Sequence, residues 1–332
     1  MGVVGTGDLI ELEGVEKVFD VRRKTGFMRR EKRQVRAVDG ISFTIPRGEM
    51  VGYIGPNGAG KSTTIKMLTG ILTPSGGRLR VAGIDPSRER TRLAQRIGVV
   101  FGQRTTLWWD LPLKDSYRLM HRMYRIPDER FAANMARCVE LLDLAELLDV
   151  PVRQLSLGQR MRGDIAAALL HDPEVLYLDE PTIGLDVVSK SKVREFLRDL
   201  NAENGTTILL TTHDLTDIEQ LCKRVMVIDH GRLMYDGALA GLHEVGESER
   251  TLVVDLEREL PPVETDLARV VKVEGPRQWL AFPASVSAAP LVAQLAAKYP
   301  LLDLSVREPD IEAVIAKMYA GGAGGATGAR LG

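Results

Sequence analysis

At 332 residues the chain is too long for one ordinary core, and it suggests about two domains. Its composition is that of a soluble globular protein, and a formal net charge of −1 argues against a whole-surface affinity for nucleic acid, which needs a strong basic excess. No apolar run approaches the roughly 20 residues of a membrane-spanning helix and the N-terminus lacks a signal-peptide core, so any membrane role is expected to run through a partner.

Residues 9–19 alternate apolar and polar side chains, which suits an edge strand closed by Phe19. A basic stretch follows: residues 22–33 hold seven Lys and Arg against Glu31 alone. Each such cation near an anionic lipid surface contributes about 1 kcal/mol, so contact with lipid headgroups is one expectation for it, and a solvated loop is the other. Residues 35–48 read as strand, turn and strand. The apolar run 49–54 then leads into Gly55-Pro56-Asn57-Gly58-Ala59-Gly60-Lys61-Ser62-Thr63, and a helical pattern opens at Thr64.

Strand, glycine loop and helix in that order form a phosphate cradle, because successive backbone N–H groups curl round the anion while the helix start faces it. The spacing is G-x-x-x-x-G-K-[ST] in full, which places Lys61 against β- and γ-phosphates and gives the Ser62 hydroxyl a position on Mg²⁺. Beyond it, residues 78–83 read as a short strand and 96–101 as a buried one ending at Gly102-Gln103. From Leu113 to Ala168 the period becomes helical, with Leu141, Leu142, Leu144, Leu147 and Leu148 crowded on one side of a pattern that starts near Pro127-Asp128.

Strand character returns at 175–178, before Asp179-Glu180-Pro181, and at 207–211, before Thr212-His213. Strands alternating with helices imply a mainly parallel sheet, whose ligands sit beyond the carboxyl ends of the strands. Gln103, Asp179, Glu180 and His213 all fall at such ends. Asp179 suits a carboxylate holding Mg²⁺ through its water shell, and Glu180 one that activates the attacking water, worth about 10²–10⁴ in rate. His213 is placed to meet the γ-phosphate, and Gln103 to reach both the metal's water and a moving segment. Cys138 and Cys222, far apart in sequence, read as buried thiols.

Leu155-Ser156-Leu157-Gly158-Gln159 precedes a helix at 160–170, and a serine hydroxyl with a glycine N–H at a helix start makes a second anion site. One chain does not easily bring two helix starts to one triphosphate, so Ser156 and Gly158 are expected to serve the ATP of a second copy. After residue 243 the pattern stops. Residues 249–320 read as a small α+β domain, with strands at 251–256, 270–273 and 302–306 and helices near 287–298 and 309–319, and 321–332 as a disordered tail.

Taken together, Gly55–Thr63, Gln103, Leu155–Gln159, Leu176–Pro181, Gly184-Leu185-Asp186 and His213 resemble, in order and spacing, the nucleotide-binding subunits of ABC transporters. The match covers about residues 9–243. It implies a P-loop (RecA-like) α/β core with an antiparallel β edge and a helical subdomain at about 112–168. It also implies ATP bound by Gly55–Thr63 of one chain and by Ser156, Gly158, Gln159 and Asp186 around the dimer seam, with Phe19 stacked on adenine. Glu180, His213 and Gln103 are then catalytic, and Ser62, Gln103 and Asp179 hold Mg²⁺.

The chain departs from the family pattern in three places. Leu157 stands where the first glycine of Leu-Ser-Gly-Gly-Gln is usual, Ile183 where a serine often precedes Gly-Leu-Asp, and the insert after Phe19 is long. Residues 103–116, with Trp108 and Trp109, and the C-terminal domain are similar to ATPases of the ABC-2 exporter type. The two tryptophans either meet a membrane subunit or anchor the helical subdomain.

This resemblance implies a pair of ATPase subunits, most simply a homodimer, beside separate transmembrane permease subunits on the cytoplasmic side of the membrane, with no nucleic acid partner. The rivals are a soluble ABC ATPase acting on ribosomes or DNA, and an importer subunit.

Overall fold

A computed structural model describes residues 7–24, 30–102, 104–212, 214–242, 249–283, 285–307 and 314, with only the backbone described at 22–24 and 30–33. The chain divides into two compact units, Met1–Asp236 and Gly237–Gly332. The sequence reading draws its boundary at 243–249, whereas this division falls inside the last strand of the first unit's large sheet.

The first unit opens with β1 (Asp8–Lys24) and β2 (Arg30–Pro46), followed by β3 (Met50–Ile54), α1 (Lys61–Leu68), β4 (Gly76–Val81), α2 (Arg90–Ala94) and β5 (Ile97–Phe101). Three helices come next: α3 (Leu113–Tyr124), α4 (Asp128–Leu141) and α5 (Leu157–Leu169). The remainder is β6 (Val175–Asp179), α6 (Val187–Asn204), β7 (Thr207–Thr211), α7 (Leu215–Leu221), β8 (Arg224–Asp229) and β9 (Arg232–Ala238).

A six-stranded sheet runs β5-β6-β7-β3-β8-β9, with parallel pairing from β5 through β8. Val175, Leu176, Tyr177 and Leu178 are all fully buried, as expected for a parallel strand covered on both faces. The register sets Phe101 beside Asp179 and Asp179 beside Thr211, so the carboxyl ends of β5, β6 and β7 share one edge.

A second sheet, antiparallel and ordered β2-β1-β4, shares one apolar core with α1 and the large sheet through Ile10, Leu12, Ile41, Ile65, Met67, Tyr53, Tyr177 and Met226. β1 is its central strand, not an edge. The alternation looked half-exposed because β4 pairs on the far side from β2, at Ile10↔Val81 and Leu12↔Leu79, which sequence periodicity does not report. β1 also continues past Phe19 to Lys24, so the expected strand end there is corrected: Val21, Arg22 and Arg23 keep pairing with Arg33, Lys32 and Glu31.

α3 buries Leu113, Tyr117, Met120 and His121, one face at helical spacing. The leucine-rich pattern begun at Pro127 does not stay on one helix. α4 stops at Leu141, Asp143 takes a left-handed φ of 52°, and Leu142 and Leu144 fill the core from the turn instead. Among the described residues no helix is long and apolar enough to cross a membrane.

The second unit holds α8 (Leu239–Leu242), β10 (Glu249–Leu256), β11 (Arg269–Glu274), β12 (Arg277–Pro283), α9 (Ala289–Lys298) and β13 (Leu301–Arg307). Its antiparallel sheet is ordered β11-β12-β10-β13 and buries Leu252, Val254, Leu280 and Phe282 against Leu291 and Leu295 of α9. The sequence reading had no strand at β12. Only Gly275 and Pro276 separate it from β11, a turn closed by Gly275 at φ 57°, so the hairpin looked like one strand and a loop. The expected helix at 309–319 and the tail at 321–332 lie outside the described residues, Val314 apart.

Candidate functional site

The phosphate loop leaves the buried strand β3 and ends at Gly60, the residue before α1. Gly60 has φ 113°, and a Cβ there would meet the Ala37 carbonyl oxygen at 2.4 Å, so both conformation and space require glycine. No side chain caps α1, which leaves its first N–H groups for an anion. Lys61 is buried, and its Nζ donates to the Gly55 and Pro56 carbonyls at 2.6 and 3.1 Å. Burial lowers its pKa, and the nearby carboxylates of Glu180 and Asp179 oppose that shift.

Asp179 joins this loop to the end of β6. Its Oδ2 accepts from Ser62 Oγ at 3.3 Å and its Oδ1 from Thr211 Oγ1 at 2.6 Å, so the second residue of α1 is tied to two strand ends. Ser62 and Asp179 offer two hard oxygens side by side, a donor set that suits Mg²⁺ completed by phosphate and water. Among the described residues no group of three or more His, Cys, Asp or Glu is arranged to hold a metal by protein ligands alone.

Glu180 follows with φ 57°, a left-handed conformation unusual for a residue with a side chain, fixed by its N–H donating to the Thr211 carbonyl at 2.8 Å. Gln103 and His213 lie outside the described residues; their neighbours Gly102 and Thr212 stand at the same sheet edge, Gly102 N donating to the Asp179 carbonyl at 2.7 Å. Phe19 is half-buried on β1, paired with Val35, with the Lys17 ammonium 5.2 Å from its ring centre.

The serine turn is a separate construction. Ser156 caps α5 in a reciprocal box: its Oγ accepts from Gln159 N at 3.2 Å, and its N–H donates to Gln159 Oε1 at 2.8 Å. Among the described residues nothing accepts the Ser156 hydroxyl proton. Gln159, read from sequence as a nucleotide contact, is here the closing half of the cap. Asp186 caps α6, accepting from Ser189 N at 2.9 Å and Ser189 Oγ at 2.7 Å, bonds that hold its pKa below the ordinary carboxylate range. Among the described residues no hydrogen bond links the Ser156 turn to the Gly55–Thr63 loop. One chain therefore brings Lys61, Ser62, Asp179 and Glu180 to one edge and leaves Ser156 and Gly158 on another element.

Sequence reasoning missed Asp164. This buried α5 residue accepts three bonds on one oxygen, from Thr105 Oγ1 at 2.9 Å, Thr106 N at 2.9 Å and Thr106 Oγ1 at 3.1 Å. It staples the segment just after Gln103 to the helix that Ser156 caps. Arg160, over the Trp109 ring at 5.4 Å, adds a second clamp between the same two segments. Trp108 and Trp109 remain 37% and 49% exposed, so neither is a core anchor. A second missed residue is Asp217, fully buried on α7, which takes hydrogen bonds from Thr182 and Thr212 and ties the turn after Glu180 to the strand end before His213. An aspartate on the otherwise apolar face of α5 was the available signal for Asp164; Asp217 had none.

A glycine cradle on a parallel sheet, with Lys61, Ser62 and Asp179 joined at its edge, defines a P-loop ATPase. The family model described as ABC transporter matches residues 38–183. The chain is 37% identical over 245 residues to Nod factor export ATP-binding protein I of Ralstonia nicotianae, covering 73% of this chain and 72% of that one. It is 35% identical over 294 residues to the daunorubicin/doxorubicin resistance ATP-binding protein DrrA of Streptomyces peucetius, covering 84% of each, more of this chain than its first unit alone holds. Among solved structures it resembles a dimeric post-hydrolysis state of the ATP-binding cassette MJ0796 bound to ADP and Pi, with a TM-score of 0.60 and 26% identity over 69% of this chain and 98% of that one. The chain belongs to the ATP-binding proteins of ABC transporters. The P-loop α/β fold expected from sequence is the fold found.

Proposed function

We propose that this ATPase is the motor of an ABC-2 type exporter, working as two identical copies on the cytoplasmic side of separate transmembrane permease subunits. The observation that carries the motor half is the meeting of Lys61, Ser62 and Asp179 at the sheet edge from which Glu180 projects. The export direction is supported by similarity to a relative named for Nod factor export.

In this reading the α1 N–H groups and Lys61 hold the β- and γ-phosphates, and Ser62 with Asp179 would hold Mg²⁺, which would supply charge neutralisation on the phosphates. Glu180 orients and deprotonates the attacking water, and Gln103 and His213 complete the γ-phosphate surroundings. The other copy presents the Ser156 hydroxyl, with the Gly158 N–H, to the same γ-phosphate. Hydrolysis leaves two separating anions, the clasp loosens, and the motion reaches the permease through the Thr105–Trp109 segment that Asp164 and Arg160 fasten to α5. The exposed Trp108 and Trp109 face that partner. Phe19 stacks on adenine. The basic stretch 22–33 is assigned no lipid contact, since nothing beyond its charge supports one.

Glu180→Gln tests the assignment. The variant is expected to bind ATP like the parent, lose turnover by about 10²–10⁴ and accumulate as a closed dimer on gel filtration with ATP. Parental hydrolysis in that variant removes Glu180 as the base.

A further inference from the structure

Leu157 departs from the glycine usual at its position, and the structure gives its side chain a definite seat. Gly184 has φ 68°, and a Cβ built on it would fall 2.5 Å from Leu157 Cδ2. The isobutyl group thus lies directly on the Gly184 backbone, in the space a side chain there would need. One residue along, a Cβ on Gly158 would stand 3.3 Å from Ser189 Oγ and 3.5 Å from Leu185 Cδ2. Ser189 is itself bound to Asp186 through both its N–H and its hydroxyl. The start of α5 is therefore keyed into residues 184–189.

Those residues lead back to Glu180 without a slack loop. Leu185 N donates to the Thr182 carbonyl at 3.2 Å and Ile183 N to the Glu180 carbonyl at 3.3 Å, and Thr182 is buried against Asp217. Two short hydrogen-bonded turns thus separate the Leu157 contact from Glu180. Packed turns of this kind shift as units and do not deform continuously.

We propose that Leu157 is a positioning residue that couples the two ATP sites of the pair, by making the serine turn and the turn after Glu180 move together within each chain. The inference rests on the reading of the chain as half of an ATP-clasping dimer. Ser156 of a chain meets its partner's ATP and Glu180 of the same chain acts on its own, so the Leu157 contact lets occupation of one site set the geometry of the other. Glycine at 157 has no side chain to reach Gly184, and the coupling would fall away.

The test is the ATP dependence of steady-state hydrolysis by the full chain, comparing the parent with Leu157→Gly, Leu157→Ala, Leu157→Met and Gly184→Ala. The parent is expected to show a Hill coefficient above 1, with a ceiling of about 2 for two coupled sites. Leu157→Gly and Leu157→Ala bring it to about 1, and Leu157→Met, which keeps an apolar end on Gly184, restores it. Leu157→Ala keeps a Cβ at the helix start and carries the comparison should the glycine variant fail to fold. Gly184→Ala should lower turnover severalfold in the parent and less so combined with Leu157→Gly, because the clash with Cδ2 is then gone. A parental Hill coefficient in Leu157→Gly or Leu157→Ala, or an equal Gly184→Ala effect in both backgrounds, overturns the inference. Failure of the dimer reading shows elsewhere, as a Hill coefficient of 1 and full activity in a monomeric parent.

Discussion

The phosphate loop and the serine turn are both helix starts, and they are finished differently. At α1 the cap is a glycine, no side chain among the described residues takes its first N–H groups, and a buried lysine and Asp179 close in from the same chain. At α5 the exposed serine and Gln159 satisfy one another, and among the described residues nothing takes the Ser156 hydroxyl proton. The first construction can hold a triphosphate by itself. The second can only add to a site that something else has already filled, and this asymmetry is what makes a two-chain site the economical solution.

The larger effect of the two sharpens that contrast. Lys61→Ala removes the buried ammonium that the phosphates would take from the Gly55 and Pro56 carbonyls, and turnover should fall by about 10³ together with ATP affinity, read by equilibrium binding of labelled ATP. Ser156→Ala should be smaller and different in kind. It costs about 1 kcal/mol of helix capping and about 10² in turnover, while ATP binding to the single chain stays at the parental level. A Ser156→Ala chain that loses ATP affinity as Lys61→Ala does would erase the distinction between the two starts.

The smallest effect concerns the staple between them. Asp164→Ala leaves two hydroxyls and one N–H of Thr105 and Thr106 without their acceptor, at a cost of about 1–3 kcal/mol in chemical denaturation. Burial raises the Asp164 pKa above the ordinary carboxylate range against the pull of those donors. The folded chain therefore holds this proton more tightly than the unfolded one, so stability falls as pH rises from the ordinary carboxylate range through the raised value. Asp164→Asn should flatten that fall in a pH series of denaturation midpoints.

What could be read from sequence and what could not divide along the same line. The phosphate loop, Asp179-Glu180 and the strands that carry them were legible because backbone geometry and metal chemistry demand particular residues at fixed spacing. The central place of β1, the strand β12, and the seats of Asp164 and Leu157 were not, because each depends on a neighbour distant in sequence. Leu157 looked like a blemish in a motif until Gly184 was beside it. Asp164 carried a faint mark, a charge among alanines, but nothing in the sequence pointed to Thr105 and Thr106.

The central claim is that each working ATP site is made from two chains, and mixing variants tests it most directly. Lys61→Ala and Ser156→Arg chains, each inactive alone, are combined in equal amounts and ATP hydrolysis is measured. Random pairing into two-fold dimers makes half of them mixed pairs with one intact composite site, so activity should return, up to a ceiling of about a quarter of the parental rate if the sites worked independently. No recovery in a mixture shown by cross-linking to contain mixed dimers would contradict the account, as would full activity from the Ser156→Arg chain alone.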